Sequence, residues 1–318
     1  MHDMKSKKDT FRERAKRLSG SSIILQRKNL FFSFLKGLLR IPKKLDTIIL
    51  ILRDIEYQLS LQNSRDFYSY NPLLNSESSR NSQNGEDGII DFILETFTSK
   101  KITFEKNFVE IGVGNGDENN TTQLLLRNFR GIWIDANEQN CEYIKNKYKE
   151  FQRLLCINTL VEKNNLEELK IDIGNFLEDK SLTLLSVDID SVDGLVAKYF
   201  SKIFKPLIIV VEINSAYGKS LYDFAKQPSY DDYDYGQSTT AYGATLERFK
   251  EIFSSNYTYI YTERTGTNSF FIRNDKYALI NENLGNPIDM FASSQRFHLG
   301  NYDPKSGHIY TPPRKNQL

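Results

Sequence analysis

FVEIGVGNGDENNT, residues Phe108–Thr121, joins an apolar run to a loop with glycine at every second position, and that junction decides the fold. Phe108, Val109 and Ile111 put apolar side chains on both faces of the run, as in a strand covered by helices on either side. Gly112, Gly114 and Gly116 then break it. Outward from this point the chain repeats the pattern. Strands are expected at Asn107–Gly114 (NFVEIGVG), Gly131–Asn137 (GIWIDAN), Arg153–Val161 (RLLCINTLV), Leu182–Asp190 (LTLLSVDID) and Pro206–Asn214 (PLIIVVEIN). Helical stretches at 121–129, 138–150, 165–178 and 194–204 separate them. Such alternation specifies a Rossmann-like, doubly wound α/β fold with a mainly parallel sheet. Two later runs, Tyr257–Arg264 and Ser269–Asp275, flank a glycine-containing gap too short for a crossover, so a terminal antiparallel hairpin is expected.

Sheets of this kind bind ligands beyond the carboxyl ends of their strands, where the strand order reverses. Here those ends are polar. The first strand carries Glu110 and runs into the glycines, the second ends at Asp135, the fourth at Asp188 and Asp190, and the fifth at Glu212 and Asn214. A buried strand needs no carboxylate at its tip, so a polar ligand is expected there.

A dinucleotide loop would place a third glycine three positions after Gly114. That position is Asp117, which would repel a pyrophosphate. The pattern Glu110-x-Gly112-x-Gly114-x-Gly116 instead resembles motif I of class I S-adenosylmethionine (SAM)-dependent methyltransferases. The resemblance implies SAM as cofactor, a phosphate-free donor whose ammonium Glu110 would hold. Gly112, Gly114 and Gly116 would let the backbone approach it, and Asp135, followed by Ala136, would bind the ribose hydroxyls.

Longer stretches resemble the FkbM-type family of methyltransferases. Ser82-Gln-Asn-Gly-Glu-Asp-Gly88 is similar to the motif that precedes the family's first helix, which adds Glu86 and Asp87 to the cofactor-binding set. Phe108–Thr121, GIWIDAN, LLSVDID (Leu184–Asp190), VVEINSAYG (Val210–Gly218), AYGATL (Ala241–Leu246) and GTNSFFIR (Gly266–Arg273) follow in the family's order. After Asp190 this chain has Ser191-Val192-Asp193 where relatives often have Gly-Asn-Asp. The resemblance implies O-methylation, often of a sugar hydroxyl in polysaccharide or glycan biosynthesis.

Methyl transfer from a sulfonium leaves a neutral thioether, so the enzyme chiefly aligns donor and acceptor. A hydroxyl acceptor must also lose a proton. The chain has 3 His and 2 Cys, with no histidine inside the motif region, which excludes a dense disulfide framework and a Cys-rich zinc site. Carboxylates remain. Asp188, Asp190 and Glu212 are the candidates, as base or as ligands of Mg²⁺, an oxygen-preferring cation. Asn214, Tyr217 and Tyr242 are candidate substrate contacts. The last two belong to a tyrosine- and aspartate-rich segment, 215–242, that interrupts the alternation as a lid would.

The formal net charge of +1 hides a split, with +10 over residues 1–44 and −9 over the rest. Phe31, Phe32, Phe34, Leu35, Leu38, Leu39 and Ile41 fall on one side of a helix. Residues 28–41 are thus a basic amphipathic element that either contacts an anionic membrane or packs on the body. Leu45, Ile48, Leu52, Ile55 and Leu59 span about two heptads, so residues 45–59 either mediate homo-oligomers or dock on the chain's own body. No secretory signal or membrane-spanning run is evident, and a cytoplasmic protein is expected, with peripheral contact at the inner face of a membrane as an option. The organisation expected is a helical extension at 1–66, a methyltransferase domain at 67–278 and a tail of unassigned role at 279–318, with 63–82 as a connecting loop. Two alternatives stay open, a non-catalytic scaffold and a nucleic-acid methyltransferase. The acidic body argues against nucleic acid as a partner.

Overall fold

The computed structural model describes residues 71–178, 181–226, 242–263 and 265–285. The chain separates into two units, Met1–Ser69 and Tyr70–Leu318. The expected helices at 28–41 and 45–59 lie outside the described residues, as do residues 227–241 of the expected lid and the tail from 286 onward.

In the second unit the chain alternates as its apolar runs require. The elements are α1 (Pro72–Ser76), α2 (Glu86–Ser99), β1 (Asn107–Ile111), α3 (Thr122–Leu126), β2 (Arg130–Asp135), α4 (Glu138–Lys147), β3 (Leu154–Asn158) and α5 (Leu166–Leu177). They continue with β4 (Leu184–Val187), α6 (Asp193–Phe204), β5 (Ile208–Glu212), α7 (Leu246–Phe253), β6 (Tyr257–Thr262), β7 (Asn268–Arg273) and α8 (Asn274–Leu284). Seven strands form one sheet in the order β3-β2-β1-β4-β5-β7-β6. The first five are parallel, and β7 runs antiparallel to both β5 and β6. The fold is therefore Rossmann-like, with the antiparallel hairpin at one edge.

Side chains alternate across each strand, and two cores result. Phe108, Trp133, Leu184 and Val210 point toward α2, α3, α4 and α8, whereas Val109, Ile132, Leu185 and Val211 point toward α5, α6 and α7. This parity also sends Glu110 to the same face as Phe108.

Two elements differ from the sequence expectation. Residues 72–76, expected within a loop, form a helical turn because Asn71 accepts from the Leu73 and Leu74 amides and Pro72 occupies a first-turn position. Helix α8 runs past residue 278 and buries Ile280 and Leu284 in the first core. Its spacing is hard to see because only those two residues of the helix are buried.

Candidate active site

The strand order reverses between β1 and β4, and a cleft of about 810 Å³ opens there. Five strand ends contribute to it, together with residues 83–84, Tyr242 and the β6–β7 turn. A volume of this size suits a nucleoside-sized ligand.

Gly112 and Gly114 shape its floor. Gly112 has φ +87, and a Cβ there would lie 1.5 Å from the Asp188 carbonyl oxygen. No other residue lets the ends of β1 and β4 come so close. Gly114 has φ +56 and nothing within 4 Å of where its Cβ would stand, so its face is open to the cleft. Gly116 lies beneath, packed against Trp133 and Ile144, and does not line the cleft.

Asp135, at the tip of β2, ties the glycine loop to the next helix. Its Oδ2 accepts from the Gly114 amide at 2.8 Å, and its Oδ1 accepts from the Asn137 amide at 2.8 Å and from Asn140 Nδ2 at 3.2 Å. Asp135 and Ala136 both line the cleft. The strand that sequence reading left without a polar tip has one, since Asn158 Nδ2 donates to the Asp135 and Ala136 carbonyls.

Glu110 does not reach the cleft. Its buried carboxylate accepts from the Asn120 amide at 2.8 Å, the Thr121 amide at 3.1 Å and the Thr121 hydroxyl. The same hydroxyl accepts from the Trp133 indole at 2.8 Å. Burial, only partly offset by these donors, raises the Glu110 pKa to about 7. Its place is under α3, because strand parity turns it toward the helical layer, and the expected contact with a cofactor ammonium is not made available by this geometry.

Glu86 and Asp87 are likewise interior. Asp87 Oδ2 gathers the amides of Arg80, Asn81 and Ser82 at 2.9, 2.6 and 2.9 Å, and Glu86 accepts from the Asn84 amide and from Asn268 Nδ2. They fold the loop that carries Gln83 and Asn84 into the cleft. At the hairpin, buried Glu263 plays a similar part. It accepts from the amides of Thr265, Thr267 and Asn268, and burial raises its pKa to about 7. Thr265 and Thr267 line the cleft as a result. Sequence reading missed Gln83, Asn84, Glu118, Thr159, Thr265 and Thr267 as lining residues. The turn after each strand, rather than the strand's last charged residue, is the signal that would have found most of them.

The acidic group forms as expected. Parallel register pairs Val187 with Val211, so the residues that follow, Asp188 and Glu212, stand side by side. Asp190 joins them, and carboxylate oxygens of the three lie within 4.8 Å of one another. Burial, then the neighbouring negative charges, drives both the Asp188 and Glu212 pKa values well above the carboxylate range. Glu212 Oε2 is buried and has no hydrogen-bond partner among the described residues. Asp193 stands apart from the cleft, accepting from the Ile189 and Ser191 amides.

Of the expected substrate contacts, only Tyr242 lines the cleft. Asn214 is buried behind it and donates to the Tyr242 carbonyl at 2.9 Å. Tyr217 stacks on Tyr222, with ring centroids 4.0 Å apart. The cleft lining is otherwise distinguished by its charge. Glu118, Asp135, Asp188, Asp190 and Glu212 line it, and among the described residues no lysine, arginine or histidine does.

Comparison with solved structures aligns this chain with several methyltransferases at low TM-scores. An O-methyltransferase from Bacillus cereus in complex with SAH superposes with a TM-score of 0.34 at 12% identity, over 66% of this chain and 94% of that one. A SAM-dependent methyltransferase from Clostridium acetobutylicum gives 0.32 at 13% identity, over 57% and 89%. No protein-family profile matches the chain, and no curated protein matches it in sequence. Among the described residues, no helix is long and apolar enough to cross a membrane.

Proposed function

We propose that this chain is a SAM-dependent methyltransferase that methylates a hydroxyl of a sugar or glycan, as its FkbM-type motifs imply. One observation carries the reading. The cleft at the strand-order reversal is lined by five carboxylates and, among the described residues, by no cationic side chain. No cationic side chain stands there to hold a diphosphate, whereas SAM carries a sulfonium and an ammonium against a single carboxylate, is net positive and suits a lining of carboxyl groups. The open face of Gly114 gives room for the nucleoside, and Asp135 stands where a ribose diol would donate to it.

The acceptor side falls to Asp188, Asp190 and Glu212. An acceptor hydroxyl beside them would hand its proton to one of these carboxylates. The same donor set fits Mg²⁺, since all three groups offer oxygen and the unpartnered Glu212 Oε2 lacks any other ligand. Bound there, the ion would supply charge stabilisation to the ionising hydroxyl. Tyr242 would pack against a sugar ring.

The test uses SAM labelled in its methyl group, incubated with the full-length protein and a pool of neutral glycans. Label in an alkali-stable ether is the expected product. Label lost on mild alkali, as from a methyl ester, or the absence of any transferred label would overturn the assignment.

A further inference from the structure

We propose that Asp193 is a positioning residue that holds Asp190 in a left-handed turn, so that the Asp190 carboxylate stands in the cleft beside Asp188 and Glu212. The inference rests on the reading of that trio as the acceptor side of a methyl-transfer site.

Five non-glycine residues among those described have positive φ: Lys101, Asn128, Glu178, Asp190 and Lys205. Four of them end helices. Lys101 and Asn128 directly follow the C-caps of α2 and α3, and Glu178 and Lys205 are the C-caps of α5 and α6. Left-handed residues are routine at such ends, where they satisfy the last carbonyls. Asp190, at φ +55, follows a strand and precedes a helix. No helix end explains it.

One side chain bonds the turn on both sides of residue 190. Asp193 Oδ1 accepts from the Ile189 amide at 2.8 Å, and Asp193 Oδ2 accepts from the Ser191 amide at 2.9 Å. The two amides that flank residue 190 are thus fixed by the two oxygens of one carboxylate. Asp193 is itself wholly buried at the first turn of α6, so the clamp is fixed to a rigid element. The Ser191 carbonyl accepts from the Gly243 amide at 2.9 Å, which ties the same turn to the segment bearing Tyr242.

Two features of residue 190 oppose folding. A left-handed conformation disfavours any residue with a Cβ, although Asp tolerates it better than most. Two further carboxylates also lie within 4.8 Å of this one. A glycine in its place would relieve both. Strain of this kind, retained away from a helix end and facing a cleft, marks a position kept for what its side chain does there.

A double-mutant cycle on the full chain tests the clamp. Asp190→Gly should raise Tm by about 2 °C, because glycine accepts the turn. Asp193→Asn keeps the size of the side chain but offers one acceptor oxygen instead of two. It should lower Tm by about 4 °C with Asp190 in place, and by at most about half as much in the Asp190→Gly background, where there is little left to hold. An Asp190→Asn background removes the charge and keeps the Cβ, so there the loss should match that with Asp190. An equal loss in the Asp190→Gly background, unfolding in both backgrounds included, overturns the proposal, as does a lower Tm for Asp190→Gly alone. In the labelled-methyl assay, Asp193→Asn should lose at least about tenfold in transfer at unchanged SAM affinity, and unaltered transfer would also overturn it. SAM binding to the wild type is measured alongside. Its absence would remove the methyltransferase reading and leave the cycle to decide the clamp.

Discussion

Asp188 and Glu212 occupy equivalent positions at the tips of adjacent parallel strands, one residue beyond the pair Val187 and Val211. Neighbouring strands lie about 4.8 Å apart, so two carboxyl groups, that of Glu212 buried and that of Asp188 partly so, are held side by side with no cationic side chain lining the cleft among the described residues. Such a pair either shares a proton or holds a cation. Mn²⁺ or Mg²⁺ alone should therefore stabilise the protein, by about 2.7 kcal/mol at a concentration one hundred times the dissociation constant. Thermal melts with and without the ion measure this, and Glu212→Gln should abolish the shift. Equal melts for wild type with and without the ion would remove the metal from the account.

Stability should fall as pH rises from 5 to 8. Glu110 and Glu263 are buried, and both have pKa values raised to about 7 from 4.5. The folded state holds their protons more tightly than the unfolded chain does. Their contribution is fully present below about 4.5 and is lost as pH climbs through about 7. The carboxylates with lowered values, Glu167, Glu251 and Asp275, act in the opposite sense, but their loss lies below about pH 4.5. Urea unfolding at pH 5, 6, 7 and 8 checks the slope. A rise in stability over that range contradicts the burial assigned to these two glutamates.

Gly112 and Gly114 should respond differently to alanine. At Gly112 the new Cβ meets the Asp188 carbonyl 1.5 Å away, so Gly112→Ala must push β1 from β4 and should cost more than about 3 kcal/mol. At Gly114 only the backbone conformation resists, and Gly114→Ala should cost about 1 kcal/mol. Its methyl would nonetheless project into the cleft and weaken SAM binding. Denaturation of the two variants, with calorimetry on the second, separates close strand packing from ligand approach.

Much of this was legible in the sequence, for identifiable reasons. Strands β1 to β5 announce themselves because they are apolar on consecutive positions, and the Asp188–Asp190–Glu212 group followed from carboxylates at their tips. Glu110 departs from the role its motif implies because strand parity decides where its side chain goes. Two residues after Phe108, it shares the face that α2 and α3 cover, and it could only cap the start of α3. Glu86 and Asp87 stand in a helix's first turn, where the helix dipole stabilises a carboxylate without any ligand. Here they accept from the Asn84 amide and the amides of residues 80–82. The contributions of Thr265 and Thr267 depend on how the Glu263 carboxylate gathers the hairpin turn, a three-dimensional fact that no local pattern encodes.

The most direct test of the central claim is a calorimetric titration of the full-length protein with SAM, repeated with NAD⁺ and with Asp135→Ala. The account predicts saturable binding of one SAM per chain and no detectable NAD⁺ binding. It also predicts SAM binding weaker by about tenfold or more in Asp135→Ala, which removes the acceptor for the Gly114 amide together with the group facing the ribose. Absence of SAM binding, or NAD⁺ bound as tightly as SAM, would contradict it.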